Sequence, residues 1–360
     1  MTRPARALID LQALRHNLSR ARKAASGAKI MAVVKANAYG HGLLTVARTL
    51  AQADAFGVAR LDEGVALRAA GVQAPIVMLS GVESIQELEE ARDQRLDIVV
   101  HSEHQIAMLE DAPPGVRLKA WIKLDSGMHR LGFPPAVFER NYARLSNCAA
   151  AIESVVLMTH LADADVAQSR RVAEQIALFD ANTRGISAER SIANSGGLLG
   201  WAEAQADWVR PGIMLYGISP FTGGTGAGHG LVPAMTVESR LIAVNQVERG
   251  SRIGYGGTYT CDESMRIGVA AIGYGDGYPR HAPSGTPVLV DGVRCPLAGR
   301  VSMDLITIDL RQNPEAKAGD RVVLWGEGLP AEEVASHVGT IAYELVCRIA
   351  QRVDYAELDR

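Results

Sequence analysis

The chain has 360 residues, 48% of them hydrophobic, and a formal net charge of −3, enough length for one large core or two medium ones. The mildly acidic balance offers no basic field to nucleic acid, and no Lys/Arg run marks a membrane-surface patch. No apolar stretch reaches transmembrane length, which leaves a water-soluble globular protein of enzyme size.

The opening segment, "MTRPARALIDLQALRHNL", is rich in Ala and Leu and is broken by Asp10 and Arg15. It lacks the apolar core and cleavage site of a signal peptide. Cys148, Cys261, Cys295 and Cys347 are scattered, with no CxxC pair. Free thiols, a reducing cytoplasm and no metal site are therefore expected.

Eight short runs rich in Val and Ile follow, at Ile30–Lys35, Ala55–Ala59, Ile76–Ser80, Asp97–His101, Arg117–Leu124, Ile152–His160, Ser191–Asn194 and Val209–Tyr216. Between them, helical spacing predicts helices over Leu43–Ala53, Leu61–Ala70, Ser84–Arg92, Ser102–Glu110 and Asp165–Ala181. Alternating strand and helix implies a parallel sheet, and eight units suggest a (β/α)₈ TIM-like barrel. The Gly-rich "SPFTGGTGAGHG", Ser219–Gly230, reads as a linker. Beyond it, β-branched runs punctuated by Asp-Gly and Gly turns predict a mainly antiparallel β domain, with one helix at Ala331–His337. The expected division is a barrel domain over residues 1–225 and a β-rich C-terminal domain over 231–360. The first few residues are free to join the second domain. No repeat of solenoid period is present.

Barrel enzymes carry their chemistry at the C-terminal ends of the strands. Polar residues fall there repeatedly: Lys35 ends the first run, Lys123 and Asp125 the fifth, His160 the sixth, and Asn194 and Ser195 the seventh. Arg210 lies early in the eighth. One strand-end lysine is ordinarily a solvated charge at a sheet rim. Several polar residues on one rim point to a site, because a barrel packs its interior with apolar layers. A strand-end lysine can form a Schiff base with a carbonyl. "NSGG" and "RPGIMLYG" place glycines beside backbone amides where a phosphate docks. Lysine imine plus phosphate loops suggests pyridoxal 5'-phosphate (PLP). No GxGxxG follows the first strand, and no GxxxxGK[ST] is present.

These residues resemble the alanine racemase family, a PLP-dependent barrel joined to a β domain. The resemblance runs over essentially the whole chain. "VVKANAYGHG" looks like the family's PLP-lysine signature. "KLDSGMHRLGF", "MTHLADAD", "ANSGG", "DWVRPGIMLYG", "IGYGGTYT", "IGYGDGYPR", "GRVSMD" and "AYELVCRI" follow in the family's order. The opening segment most resembles the catabolic proteobacterial form. The resemblance implies interconversion of L- and D-alanine, for peptidoglycan supply or alanine catabolism, by a homodimer with shared active sites.

It implies roles residue by residue. Lys35 holds PLP and acts as a base on one face of Cα, so its solution pKa near 10.4 has to be depressed. Tyr255, from the second subunit, serves the other face. Arg210 faces the pyridine nitrogen and, being permanently protonated, does not readily hand it a proton. His160 lies against the ring and bonds Arg210. Tyr39, Ser195, Gly212, Ile213 and Tyr343 hold the phosphate. Arg130 contacts the cofactor's phenolic oxygen and the substrate carboxylate, with Lys123 carrying a carbamate that orients it. Met303 offers a backbone N–H to the carboxylate from the second subunit, supported by Asp304. Tyr274 and Arg280 line the access channel. Gly275, Ser302 and Leu161 depart from common family residues without removing a functional group. Without the resemblance, Arg210 pairs with Asp207, His160 is a satisfied core histidine, and Tyr255 is a turn aromatic packed on the barrel.

Other readings compete. A barrel-type PLP amino-acid decarboxylase would carry a multi-glycine phosphate loop and a cysteine-containing acid motif, and neither is present. A non-enzymatic PLP-binding protein would be a single barrel without the β domain. A metal-free Schiff-base aldolase barrel would need no "RPG" phosphate loop.

Overall fold

The computed structural model describes residues 4–149 and 151–359. Eight parallel strands close a barrel in chain order: β2 (Lys29–Val33), β3 (Ala55–Val58), β4 (Ile76–Met78), β5 (Leu96–Val100), β6 (Leu118–Lys123), β7 (Ile152–Met158), β8 (Arg190–Asn194) and β9 (Trp208–Arg210). Closure is made by β2 on β9, with Lys29 opposite Trp208 and Ile30 opposite Val209. Val and Ile dominate because these strands are buried on both faces, by side chains within and helices without. The interior layer is Met31, Ala55, Val77, Val99, Trp121, Val156, Met158 and Trp208. At its floor Lys29 and Lys119 both bind Glu189 and lie over the Trp208 ring.

The second sheet runs β15 (Val293–Pro296), β14 (Pro287–Val290), β17 (Arg321–Trp325), β10 (Met235–Val247), β1 (Arg6–Asp10), β18 (Asp354–Leu358). From β10 it branches to β13 (Met265–Ala270) and then β16 (Ile306–Asp309). A two-stranded ribbon, β11 (Arg252–Ile253) with β12 (Tyr259–Thr260), stands apart. Except for β1 beside β18, the pairings in these two sheets are antiparallel. The opening segment thus adds a central strand to the C-terminal sheet before the barrel begins.

Three local expectations change. The opening segment continues into a helix, Leu11–Ala24, which buries Leu11, Leu14, Leu18 and Ala21; Asp10 caps it by accepting the Ala13 N–H at 2.9 Å. Such a cap contributes about 1 kcal/mol. The eighth barrel strand stops at Arg210, because Pro211 has no N–H to continue the ladder, and residues Ile213–Tyr216 form a 3₁₀ turn. The Ser219–Gly230 segment is no loose tether: Glu332 accepts the Ser219 and Gly226 N–H groups, both at 2.8 Å.

Candidate active site

Strand β2 is buried from Ile30 onward and ends beside β3 and β9, with Val34 N–H on Gly57 O and Val33 N–H on Pro211 O. Lys35 therefore emerges at the barrel mouth. The next four residues are left-handed: Ala36, Asn37, Ala38 and Tyr39 have φ of 55°, 53°, 54° and 51°. At roughly 1–2 kcal/mol per residue, such a run costs about 4–8 kcal/mol, and it persists because its surroundings impose it. Asn37 Oδ1 accepts the Leu43 N–H at 2.8 Å. His41, wholly buried, donates Nδ1–H to the carbonyls of Tyr39 (2.8 Å) and Ala38 (3.2 Å). Burial lowers the His41 pKa to about 4, so it stays a neutral structural donor. Gly40 closes the turn at φ +79°; a Cβ there would lie 2.0 Å from the carbonyl of Val346, in the helix Ala342–Cys347.

That close approach brings Tyr343 of the same helix towards Tyr39, with ring centroids 6.1 Å apart. Tyr39 stacks on Tyr216 at 4.9 Å, and Tyr216 donates its hydroxyl to Val33 O at 2.9 Å. The Tyr39 hydroxyl lies over Gly212, where a Cβ would come within 2.6 Å of it. Ser195 Oγ accepts the Gly212 N–H at 2.9 Å, which leaves its own proton to donate. Tyr39, Ser195, Gly212, Ile213 and Tyr343 thus gather on one wall. A cleft of about 840 Å³ runs from His160, Asn194 and Gly196 past Tyr343 and Ile341 to Phe221.

Lys35, Lys123, Arg130 and Arg210, none of which lines that cleft, form a cluster of cations close enough to act on one another. Burial, and then Arg130, lower the Lys35 pKa, while Glu63 and Cys347 raise it. Lys123, at the end of β6, is pulled down to about 8 by burial, then by Arg210 and Arg130. Arg130 is exposed, on a loop shaped by Asp125, whose carboxylate accepts the Gly127 and His129 N–H groups, each at 3.0 Å. Arg210 is buried; it donates to Ser191 Oγ (2.5 Å), Thr159 O (2.7 Å) and Ile192 O (3.2 Å). Its expected alternative partner, Asp207, accepts the Arg190 N–H instead. Arg210 Nη2 also lies 3.4 Å from His160 Nδ1. A guanidinium only donates, so Nδ1 is the acceptor and the His160 proton sits on Nε2. Burial and the cations Arg210, Lys123, Arg130 and Lys35 hold the His160 pKa well below its usual value, so the ring is neutral.

None of Lys35, Lys123, Arg130 and Arg210 forms an ion pair among the described residues. This cluster of cations, together with the hydroxyls of Tyr39 and Ser195 and the Gly212 backbone, fits a phosphorylated, anionic aldehyde such as PLP.

Sequence reasoning missed Gln175. Buried on the helix Arg170–Thr183, it donates to His160 O (3.1 Å) and Ser126 Oγ (3.3 Å) and accepts the Ala162 N–H (2.8 Å), tying two mouth loops together. Its signal was a lone amide on the apolar stripe of Val172, Ile176 and Phe179.

Tyr255, Met303, Asp304 and Tyr274 are elsewhere, together on the C-terminal domain. Tyr274 N–H binds Ser302 O (3.0 Å), Gly275 N–H binds Met303 O (2.8 Å), and Asp304 accepts from Arg352 (2.5 Å). Tyr255 lies in the 3₁₀ turn Tyr255–Gly257 and is 69% exposed; Met303 is 53% exposed. Arg280 is exposed as well. Among the described residues, none of these five is hydrogen-bonded to the barrel mouth.

Two family models divide the chain: "Alanine racemase, N-terminal domain" matches residues 9–220, and "Alanine racemase, C-terminal domain" matches 234–356. The alanine racemase of Nitrosococcus oceani is 53% identical over 350 residues, covering 96% of this chain and 97% of that one. The crystal structure of the biosynthetic alanine racemase from Pseudomonas aeruginosa superposes with a TM-score of 0.97 at 43% identity, covering 99% of this chain and 100% of that one. The alanine racemase from Bartonella henselae with covalently bound pyridoxal phosphate gives 0.89 at 27% identity, covering 99% of each chain. The chain belongs to the alanine racemase family.

Proposed function

We propose that this protein interconverts L- and D-alanine with PLP as cofactor, and that Lys35 and Tyr255 are its two bases. The observation that carries this reading is a half-buried lysine at the end of the first barrel strand, beside cations that form no ion pair among the described residues, with the Tyr39–Ser195–Gly212 cluster on the loops after β2, β8 and β9. PLP supplies an aldehyde for an amine and a ring that draws electron density from the substrate Cα.

The chain's own residues do the rest. Tyr39, Ser195, Gly212, Ile213 and Tyr343 bind the phosphate. Lys35 would hold the cofactor and move a proton at Cα on one face; burial and Arg130 lower its pKa towards the neutral form that a base needs. Arg210, held by Ser191, Thr159 and Ile192, would serve the ring nitrogen of bound PLP as a permanent donor with no proton to give up readily. That favours return of the proton to Cα over its loss. His160, which accepts from Arg210 through Nδ1, would help hold the cofactor ring. Arg130 binds the substrate carboxylate, and Lys123 carries a carbamate that orients it.

The second base does not come from the same mouth. Tyr255 and Met303 are exposed on the C-terminal domain and fit a homodimer in which each chain completes the other's site. The partner's Tyr255 then serves the second face of Cα, and the partner's Met303 offers its N–H to the carboxylate. Asp304 supports that loop, and Tyr274 and Arg280 line the channel. In this division residues 1–225, apart from the opening strand Arg6–Asp10 that joins the C-terminal sheet, are the PLP-binding domain and 231–360 the domain that serves the partner. No helix of the described residues is long and apolar enough to cross a membrane. We place the protein in the cytoplasm on its four free cysteines.

Alanine racemisation by wild type, Lys35→Ala and Tyr255→Phe tests this reading. Lys35→Ala is expected to lose bound cofactor and nearly all activity. Tyr255→Phe is expected to keep the cofactor's visible absorbance and lose most racemisation. Full activity in either variant contradicts the two-base scheme.

A further inference from the structure

The left-handed run after Lys35 presents two N–H groups, of Ala36 and Asn37, at its start. Like the first amides of any helical turn, they have no partner within it. One side chain from the neighbouring βα unit takes both. Glu63, in the helix Leu61–Ala69, accepts the Ala36 N–H on Oε1 at 2.6 Å and the Asn37 N–H on the same oxygen at 3.4 Å. Its other oxygen accepts the Ala59 N–H at 2.8 Å and the Arg60 N–H at 3.4 Å, capping its own helix. A single carboxylate thus joins the turns that follow β2 and β3.

We propose that Glu63 is a positioning residue for Lys35: its carboxylate, bonded at once to the turn after β2 and to the turn after β3, clamps the left-handed run that aims the amine into the barrel mouth. The proposal rests on Lys35 being the working lysine of this site. A bare helix cap would need only Oε2. The reach of Oε1 to the residues directly after Lys35 is what a cap does not explain.

The charge has a direction. The groups acting on or with Lys35 are Arg130 on the loop after β6, Lys123 at the end of β6, His160 after β7, Cys347 at the end of the helix Ala342–Cys347, and Glu63. Burial and the cations push the amine towards neutrality, and Glu63 opposes them. Without that carboxylate the amine titrates lower, so it stays neutral over more of the pH range but is no longer held in place. Glu63 therefore keeps Lys35 between an inert ammonium and an unanchored amine.

The test compares full-length wild type, Glu63→Gln and Glu63→Asp. The titration midpoint of Lys35 is read in the chain freed of cofactor, from the pH dependence of its acylation by acetic anhydride, followed by mass spectrometry of the Lys35 peptide. PLP affinity is read separately from the visible absorbance of the bound cofactor. Glu63→Gln is expected to lower the midpoint by about one pH unit, the size of effect expected from losing one nearby opposite charge, and to weaken PLP binding at least about tenfold. Glu63→Asp keeps the charge one methylene further back, so it should shift the midpoint less and still weaken binding. If Glu63→Gln does not fold, Glu63→Asp decides alone. A wild-type midpoint in the folded variant, with lost stability only, reduces Glu63 to a helix cap and overturns the proposal. The acylation readout does not depend on PLP. Cofactor absorbance that survives in Lys35→Ala would instead sink the reading of Lys35, and the midpoint shift would still judge Glu63.

Discussion

Lys123→Met is expected to make the cofactor-free chain more stable at neutral pH, although it removes a residue of the site. Lys123 is 7% exposed, and its amine makes no ion pair or hydrogen bond among the described residues. Burial, Arg210 and Arg130 pull its amine down from 10.5 to about 8. At pH 7 it is protonated in both the folded and unfolded chain, and the folded chain carries the full penalty. At about 1.4 kcal/mol per pKa unit, that penalty is about 3 kcal/mol. From pH 8 upward the folded chain sheds this proton while the unfolded chain still binds it, so wild-type stability rises relative to the variant. The penalty falls to about 0.5 kcal/mol near pH 10.5, where the unfolded lysine titrates too. Met keeps the length of the stem and removes the charge. Urea unfolding of both chains, at equal concentration in CO₂-free buffer, should show Lys123→Met ahead by about 2–3 kcal/mol at pH 7, with the gap closing towards pH 10.5. No gain at pH 7, or a gain unchanged by pH, refutes the picture of an unpaired buried cation.

Three further outcomes follow from the same geometry. Lys123, with a pKa of about 8, is neutral in about a tenth of molecules at pH 7, far more than an ordinary lysine, and should take up ¹³C-bicarbonate as a carbamate that Lys123→Met does not form; a crystal grown with bicarbonate and showing a bare amine refutes this. Mixing inactive Lys35→Ala and Tyr255→Phe chains should restore activity, because a mixed dimer places both lesions in one site and none in the other; no recovery after dissociation and reassociation would rule out shared sites. Gly40→Ala places a Cβ 2.0 Å from Val346 O at φ +79°, so it should push away the helix carrying Tyr343 and weaken PLP binding at least about tenfold by titration, whereas wild-type affinity would mean that this contact does not position the phosphate wall.

Much of the barrel was legible because its strands are double-buried. Val and Ile runs stop where the chain leaves the interior, and several of these stops carry a polar residue. Lys35, Lys123, His160 and Asn194 stand at such stops, whereas Arg210 lies inside the run assigned to the eighth strand. The eighth strand was overrun because Leu215 and Tyr216 are as apolar as a strand; only Pro211 marked the break. The helix Leu11–Ala24 was overlooked although its buried Leu11, Leu14, Leu18 and Ala21 fall at helical spacing behind a capping Asp10.

The left-handed turn was beyond local reading for a different reason. Ala36, Ala38 and Tyr39 have no preference for positive φ, and the glycines at 40 and 42 announce a bend only after them. What bends the chain lies elsewhere: Glu63 from the next βα unit, Val346 from a helix some 300 positions on, and His41 reaching back to Ala38 and Tyr39. A conformation unfavourable by several kcal/mol survives only where independent contacts each make escape more costly. That same over-determination holds the turn on which Lys35 stands. The residues hardest to read from the sequence are therefore those that hold the most readable lysine in place.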